Sequence, residues 1–172
     1  MVKVAFRQRL ERVVRGLTPF ALTLLLVVVS VLPVPVPGFA PITPALALIS
    51  VYYWSIYRPD LLPMVATFFV GLVQDALSGL PLGLTALVFL LVRWVVVSQR
   101  RFFLGKSFVL VWWGFMLVAP AAVSVSWALA SLILGGVVAA GPVVGQLLLT
   151  VMVYPALTWL LARTHPYLPR RA

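Results

Sequence analysis

The chain has 172 residues, 63% of them hydrophobic and 9% charged, and its mean hydropathy is +1.15. A soluble domain is about 45 to 50% apolar and about 25% charged, so a water-soluble fold is excluded. The net charge of +10 comes from 13 Lys and Arg against three acids, but the cations sit in short clusters between apolar runs, which suits anionic lipid headgroups and argues against nucleic acid as a partner.

Residues 1–16 form a basic segment with Lys3, Arg7, Arg9, Arg12 and Arg15, followed by an apolar run from Leu17 to Leu32. A secretory signal has the same order of features. This run is long for a signal core, however, and the rest of the chain is equally apolar, so it reads as an uncleaved first helix. Breaks at proline, glycine and charge then divide residues 17–162 into six candidate spans, at about 17–36, 40–57, 62–80, 82–98, 107–133 and 142–162, each near the length needed to cross a bilayer. Pro33, Pro35, Pro37, Gly38 and Pro41 read as a short extended loop, because proline removes a backbone donor and cannot continue a helix. Residues 163–172 form a basic tail. The expected fold is an all-α polytopic membrane protein with one six-helix domain and no extramembrane domain.

Charge sets the expected orientation, since basic residues in short loops stay on the cytoplasmic side. They occupy the N-terminal segment, the second loop (Arg58), the fourth loop (Arg100, Arg101 and Lys106) and the tail (Arg163, Arg170 and Arg171), whereas the other loops have none. Six crossings keep every cluster on one side, with both termini cytoplasmic and the loop cations facing lipid. Five crossings would place one cluster outside. Seven would require splitting the fifth span near Pro120 with no charge to anchor the turn. Tyr52, Tyr53, Trp54 and Tyr57 beside Arg58, and Trp112 and Trp113 near Lys106, read as an aromatic belt at headgroup level.

The inventory for chemistry is small: Glu11, Asp60, Asp75, one histidine (His165) and no cysteine. Glu11, Asp60 and His165 fall outside the spans. No acid/base pair, metal cluster or serine triad can be assembled from these positions, so no catalytic, metal or cofactor site is expected. Asp75 differs because it lies inside the third span, and an intramembrane carboxylate is a functional candidate by default. At 1.5 Å per residue it sits roughly 8 Å from the turn near Leu80, while Arg93 sits about 19 Å from the same turn. That offset disfavours a direct pair and suits an arginine that snorkels toward the cytoplasm. The expected partners of Asp75 are the free N–H groups at the start of the fourth span and the hydroxyls of Ser78 and Thr85, making a structural clasp. The alternative is an acid that binds a ligand or partner.

The run from Gly71 to Leu87, with Gly71, Gln74, Asp75, Gly79, Pro81 and Gly83 in place, resembles the signature of the rod shape-determining protein MreD family. Arg58-Pro59-Asp60 before the third span, the proline-rich first loop, the length and the basic tail after Tyr154-Pro155 also resemble that family. The resemblance implies a non-enzymatic subunit of the bacterial elongation machinery in the inner membrane. It would work with MreC, with RodA and the elongation-specific class B penicillin-binding protein, and indirectly with RodZ and MreB, to direct lateral peptidoglycan synthesis. It also implies a fold similar to the S components of energy-coupling-factor transporters. A small-molecule-binding transporter subunit is therefore the alternative function, with Gln74, Asp75, Arg93 and Gln146 as the polar groups available to line its cavity.

Overall fold

A computed structural model describes residues 18–31, 43–136 and 140–164. All regular structure among them is helical: α1 (Thr18–Val31), α2 (Leu46–Tyr57), α3 (Met64–Ser78), α4 (Leu84–Phe103), α5 (Phe108–Leu134) and α6 (Ala140–Thr164). The proline-rich first loop, Glu11, His165 and most of the basic termini lie outside the described residues.

Two of these helices, α5 and α6, are long and apolar enough to cross a membrane. α4 has the length but carries Arg93, Arg100 and Arg101. α2 and α3, at 12 and 15 residues, fall short of the ~20 residues of an upright crossing. Local chemistry explains these bounds. α3 begins after Pro63 and ends at Gly79, whose φ of 67° is left-handed, a conformation open to glycine without steric cost. α4 runs past the expected boundary to Phe103, taking Arg100 and Arg101 into its last turn, where cations oppose the partial negative charge of a helix end. α5 continues through Pro120 to Gly135, another left-handed glycine, so the fifth span is one helix.

α2 is the centre of the bundle, packed against both α4 and α6. Every residue from Leu46 to Ile56 is buried, as expected of a helix that is apolar on all sides. This corrects the belt reading for Tyr52 and Trp54. Tyr52 and Trp54 are in the core, and the Tyr52 hydroxyl donates to the Val111 carbonyl of α5 at 2.9 Å. The Tyr52 ring meets Phe115 edge-on at 5.2 Å, and Phe115 stacks on Tyr154 at 4.3 Å. These residues end α2 beside a basic loop, but α5 and α6 close over them. Trp113, which is exposed, fits the surface position expected of it.

Polar contacts between helices complete the frame. The Thr23 and Ser50 hydroxyls pair at 2.8 Å between α1 and α2. The Ala45 N–H at the start of α2 donates to the Thr150 hydroxyl of α6 at 2.9 Å, so a neighbouring helix supplies a cap that local sequence does not.

Candidate functional site

The α3–α4 hairpin brings the singled-out residues together. Gly71 and Asp75 are four residues apart and share one face of α3, the face turned to the start of α4. A Cβ on Gly71 would lie 2.3 Å from the Ala86 Cα and 2.6 Å from the Ala86 nitrogen. Only glycine permits this backbone approach. One turn later, Asp75 is fully buried.

Its carboxylate is consumed by backbone. The Gly83 N–H donates to Oδ2 at 2.9 Å, and the Thr85 N–H donates to Oδ1 and Oδ2 at 3.0 and 3.1 Å. These are the first donors of α4, which has no cap from its own Gly83. An acid from the preceding helix therefore does the work usually done by a capping residue next to the helix start. The Leu84 N–H is satisfied by the Pro81 carbonyl at 3.2 Å. The Asp75 backbone carbonyl meanwhile accepts the N–H groups of Gly79 and, at 3.1 Å, Leu80. One residue thus terminates α3 with its carbonyl and starts α4 with its side chain. The electrostatic balance follows: the end of α3 repels the carboxylate, and the start of α4 attracts it.

The turn depends on two glycines, since Gly79 and Gly83 have φ of 67° and 98°. Neither Ser78 nor Thr85 bonds the carboxylate through its hydroxyl. The Ser78 hydroxyl instead accepts from Gln74 Nε2 at 3.0 Å, and Gln74 Oε1 accepts from Ser30 of α1 at 3.3 Å.

Arg93 does not meet Asp75; it reaches toward the α2–α3 loop, the loop that carries Arg58. It is 8% exposed, and its Nη2 donates to the Pro59 carbonyl in the α2–α3 loop at 2.9 Å. Nε and Nη1 find no hydrogen-bond partner among the described residues. The short linker between α2 and α3 folds over the arginine and covers its head, an arrangement that spacing along α4 could not reveal. Of the loop cations, Arg58 lies 3.5 Å from Asp60, while Arg101 and Lys106 are exposed and Arg100 is partly so.

A cavity of about 360 Å³ adjoins the hairpin, with Gln74, Ser78 and Thr85 on one side and Ser30, Ser126 and Gln146 on others. Gln74 and Gln146 were expected to line such a space; Asp75 and Arg93 do not. Among the described residues, no three His, Cys, Asp or Glu side chains come together in a way that could hold a metal ion.

Comparison with known proteins places this hairpin in a family. An uncharacterized protein of Rickettsia prowazekii (strain Madrid E) is 34% identical over 70 residues, which make up 40% of this chain and 39% of that protein. The chain therefore spans well under half the length of the curated relative it matches. No solved structure matches the chain. The family model described as rod shape-determining protein MreD matches residues 10–164, a stretch that contains the hairpin and every described helix. The chain belongs to the rod shape-determining protein MreD family.

Proposed function

We propose that this protein is a non-enzymatic, multi-pass subunit of the elongation machinery in the bacterial inner membrane. In this reading it crosses the membrane six times with both termini in the cytoplasm. It acts with MreC, RodA and the class B transpeptidase, and indirectly with RodZ and MreB, to direct lateral wall synthesis. The observation that carries the reading is the family match over residues 10–164, a family of shape-determining membrane proteins. The alternation of basic and uncharged loops supports the topology. In this reading the short helices α2 and α3 cross by tilting, by local bilayer thinning and by association with neighbours.

Depletion in a rod-shaped host tests the function, with rounding expected and full-length rescue restoring rods. A C-terminal fusion to a phosphatase that works only in the periplasm should be silent; activity there would overturn the six-crossing topology. The cavity of about 360 Å³ beside Gln74 and Gln146 favours a second reading, an S-component-like solute binder, because small-molecule sites begin at about 300 Å³. Depleted cells that kept their rod shape but came to require an external vitamin would establish that reading over the first.

A further inference from the structure

The end of the bundle opposite the α3–α4 turn holds a separate cavity of about 490 Å³. Tyr53 and Tyr57 of α2, Phe108 of α5, and Tyr154 and Trp159 of α6 form its walls. Phe108 and Tyr154 lie stacked with ring centroids 6.2 Å apart. All three helices run into a cation within two residues of the cavity: Arg58 follows Tyr57, Lys106 precedes Phe108, and Arg163 follows Ala162, which is also in the lining. The Arg163 guanidinium stands 4.1 Å from the centre of the Trp159 ring. Among the described residues, Arg58 has Asp60 beside it, whereas Lys106 and Arg163 have no acid within ion-pair distance.

Aromatic walls beneath a rim of unneutralised positive charge complement an amphiphile with an anionic head. We infer that this cavity is a binding site for an anionic phospholipid, one acyl chain lying among Tyr53, Tyr154 and Trp159 and the headgroup phosphate meeting Lys106 and Arg163. Tyrosine and tryptophan favour this level of the bilayer because an apolar ring can meet a polar boundary there. Arg163 is held ready by its stacking on Trp159, and a guanidinium suits phosphate through its fork of donors. A partner's transmembrane helix fits less well. One turn of a helix 10 to 12 Å across fills on the order of 400 to 600 Å³, so the cavity holds about a turn at most, whereas a flexible chain can enter it. The inference rests on the membrane reading of the protein, and on nothing about its partners.

The test is a titration of purified, delipidated protein in neutral detergent with phosphatidylglycerol or phosphatidylcholine, followed by tryptophan fluorescence and native mass spectrometry. A cation near an anionic headgroup contributes roughly fivefold in affinity, so the wild type should prefer phosphatidylglycerol on the order of 30-fold. Lys106→Gln and Arg163→Gln should each remove roughly fivefold and together erase the preference, with the lipid-free melting temperature unchanged. Ala162→Phe, which narrows the cavity, should weaken both lipids. Equal affinity of the wild type for the two lipids overturns the proposal, and so does a preference that survives in the double variant. Photo-crosslinking from position 162 in native membranes should capture lipid; capture of a protein helix instead would also overturn it. Because binding is read on isolated protein, failure of the shape assay and failure of this titration are separate results.

Discussion

The α3–α4 turn and the middle of α4 each bury a formal charge and treat it differently. At the turn, both oxygens of Asp75 are engaged by the Gly83 and Thr85 N–H groups. In the middle of α4, Arg93 has one bond, to the Pro59 carbonyl, and two nitrogens without a partner among the described residues. The difference reflects where unpaired backbone is found. A helix start always presents free donors, so an acid placed beside one is satisfied by geometry alone. A cation at mid-helix sees carbonyls already paired within the helices and must reach a loop to find a free one. The turn is therefore a tightly determined structure, and the arginine site is a loosely determined one.

The sharpest way to break the contrast is Gly71→Val. With a Cβ already 2.3 Å from the Ala86 Cα, α3 and α4 must separate, and the loss should exceed about 3 kcal/mol, read as failure to accumulate or as a large drop in melting temperature. Because the collision is with backbone, Ala86→Gly should not rescue it; restored stability in that double variant would mean the helices pack differently from the description above.

Asp75→Ala comes next. It strands the Gly83 and Thr85 donors and should cost on the order of 2 to 3 kcal/mol, while Asp75→Asn, which keeps an accepting oxygen, should lose about 1 kcal/mol. Thermal denaturation of purified protein gives both values. Complementation of rod shape then separates clasp from contact: if the charge itself engages a partner, Asp75→Asn will be as abundant as the wild type and still fail to restore rods.

Arg93→Met is expected to have the smallest effect, within about 1 kcal/mol in either direction, because replacing a poorly satisfied buried charge with an apolar side chain of similar length is often neutral or stabilising. A loss as large as that of Asp75→Ala would show that the unpartnered nitrogens are engaged in the membrane, and the contrast between the two sites would collapse.

Much of this frame could be read from residue types. Pro63 precedes α3, and Gly79 and Gly135 follow α3 and α5, and Asp75 lay beside the start of α4 because a residue five positions before a tight turn has few other neighbours. The burial of Tyr52 and Trp54 was not legible. An apolar helix gives the same pattern whether it faces lipid or other helices, since lipid is as apolar as a protein core, so composition could not distinguish the central helix from a peripheral one. The partner of Arg93 was not legible for a related reason. Spacing along α4 gives its height, but its partner is the carbonyl of Pro59, 34 residues away in sequence, on a loop whose path depends on the packed bundle. The aromatic cavity escaped notice because its walls come from three helices distant in the chain.

The central position of α2 bears on how the protein is made. Its Tyr52 ring is enclosed by Phe115 and Tyr154, and the Ala45 N–H just before it is taken by Thr150, so α2 is completed by a helix synthesised roughly a hundred residues later. At about 5 to 20 residues per second, α2 waits on the order of 5 to 20 seconds after leaving the ribosome tunnel before that helix emerges. During this interval it is an unfinished core with exposed tyrosines and an uncapped start. A ribosome stalled before α6 would leave α2 without the ring and the hydroxyl that complete it.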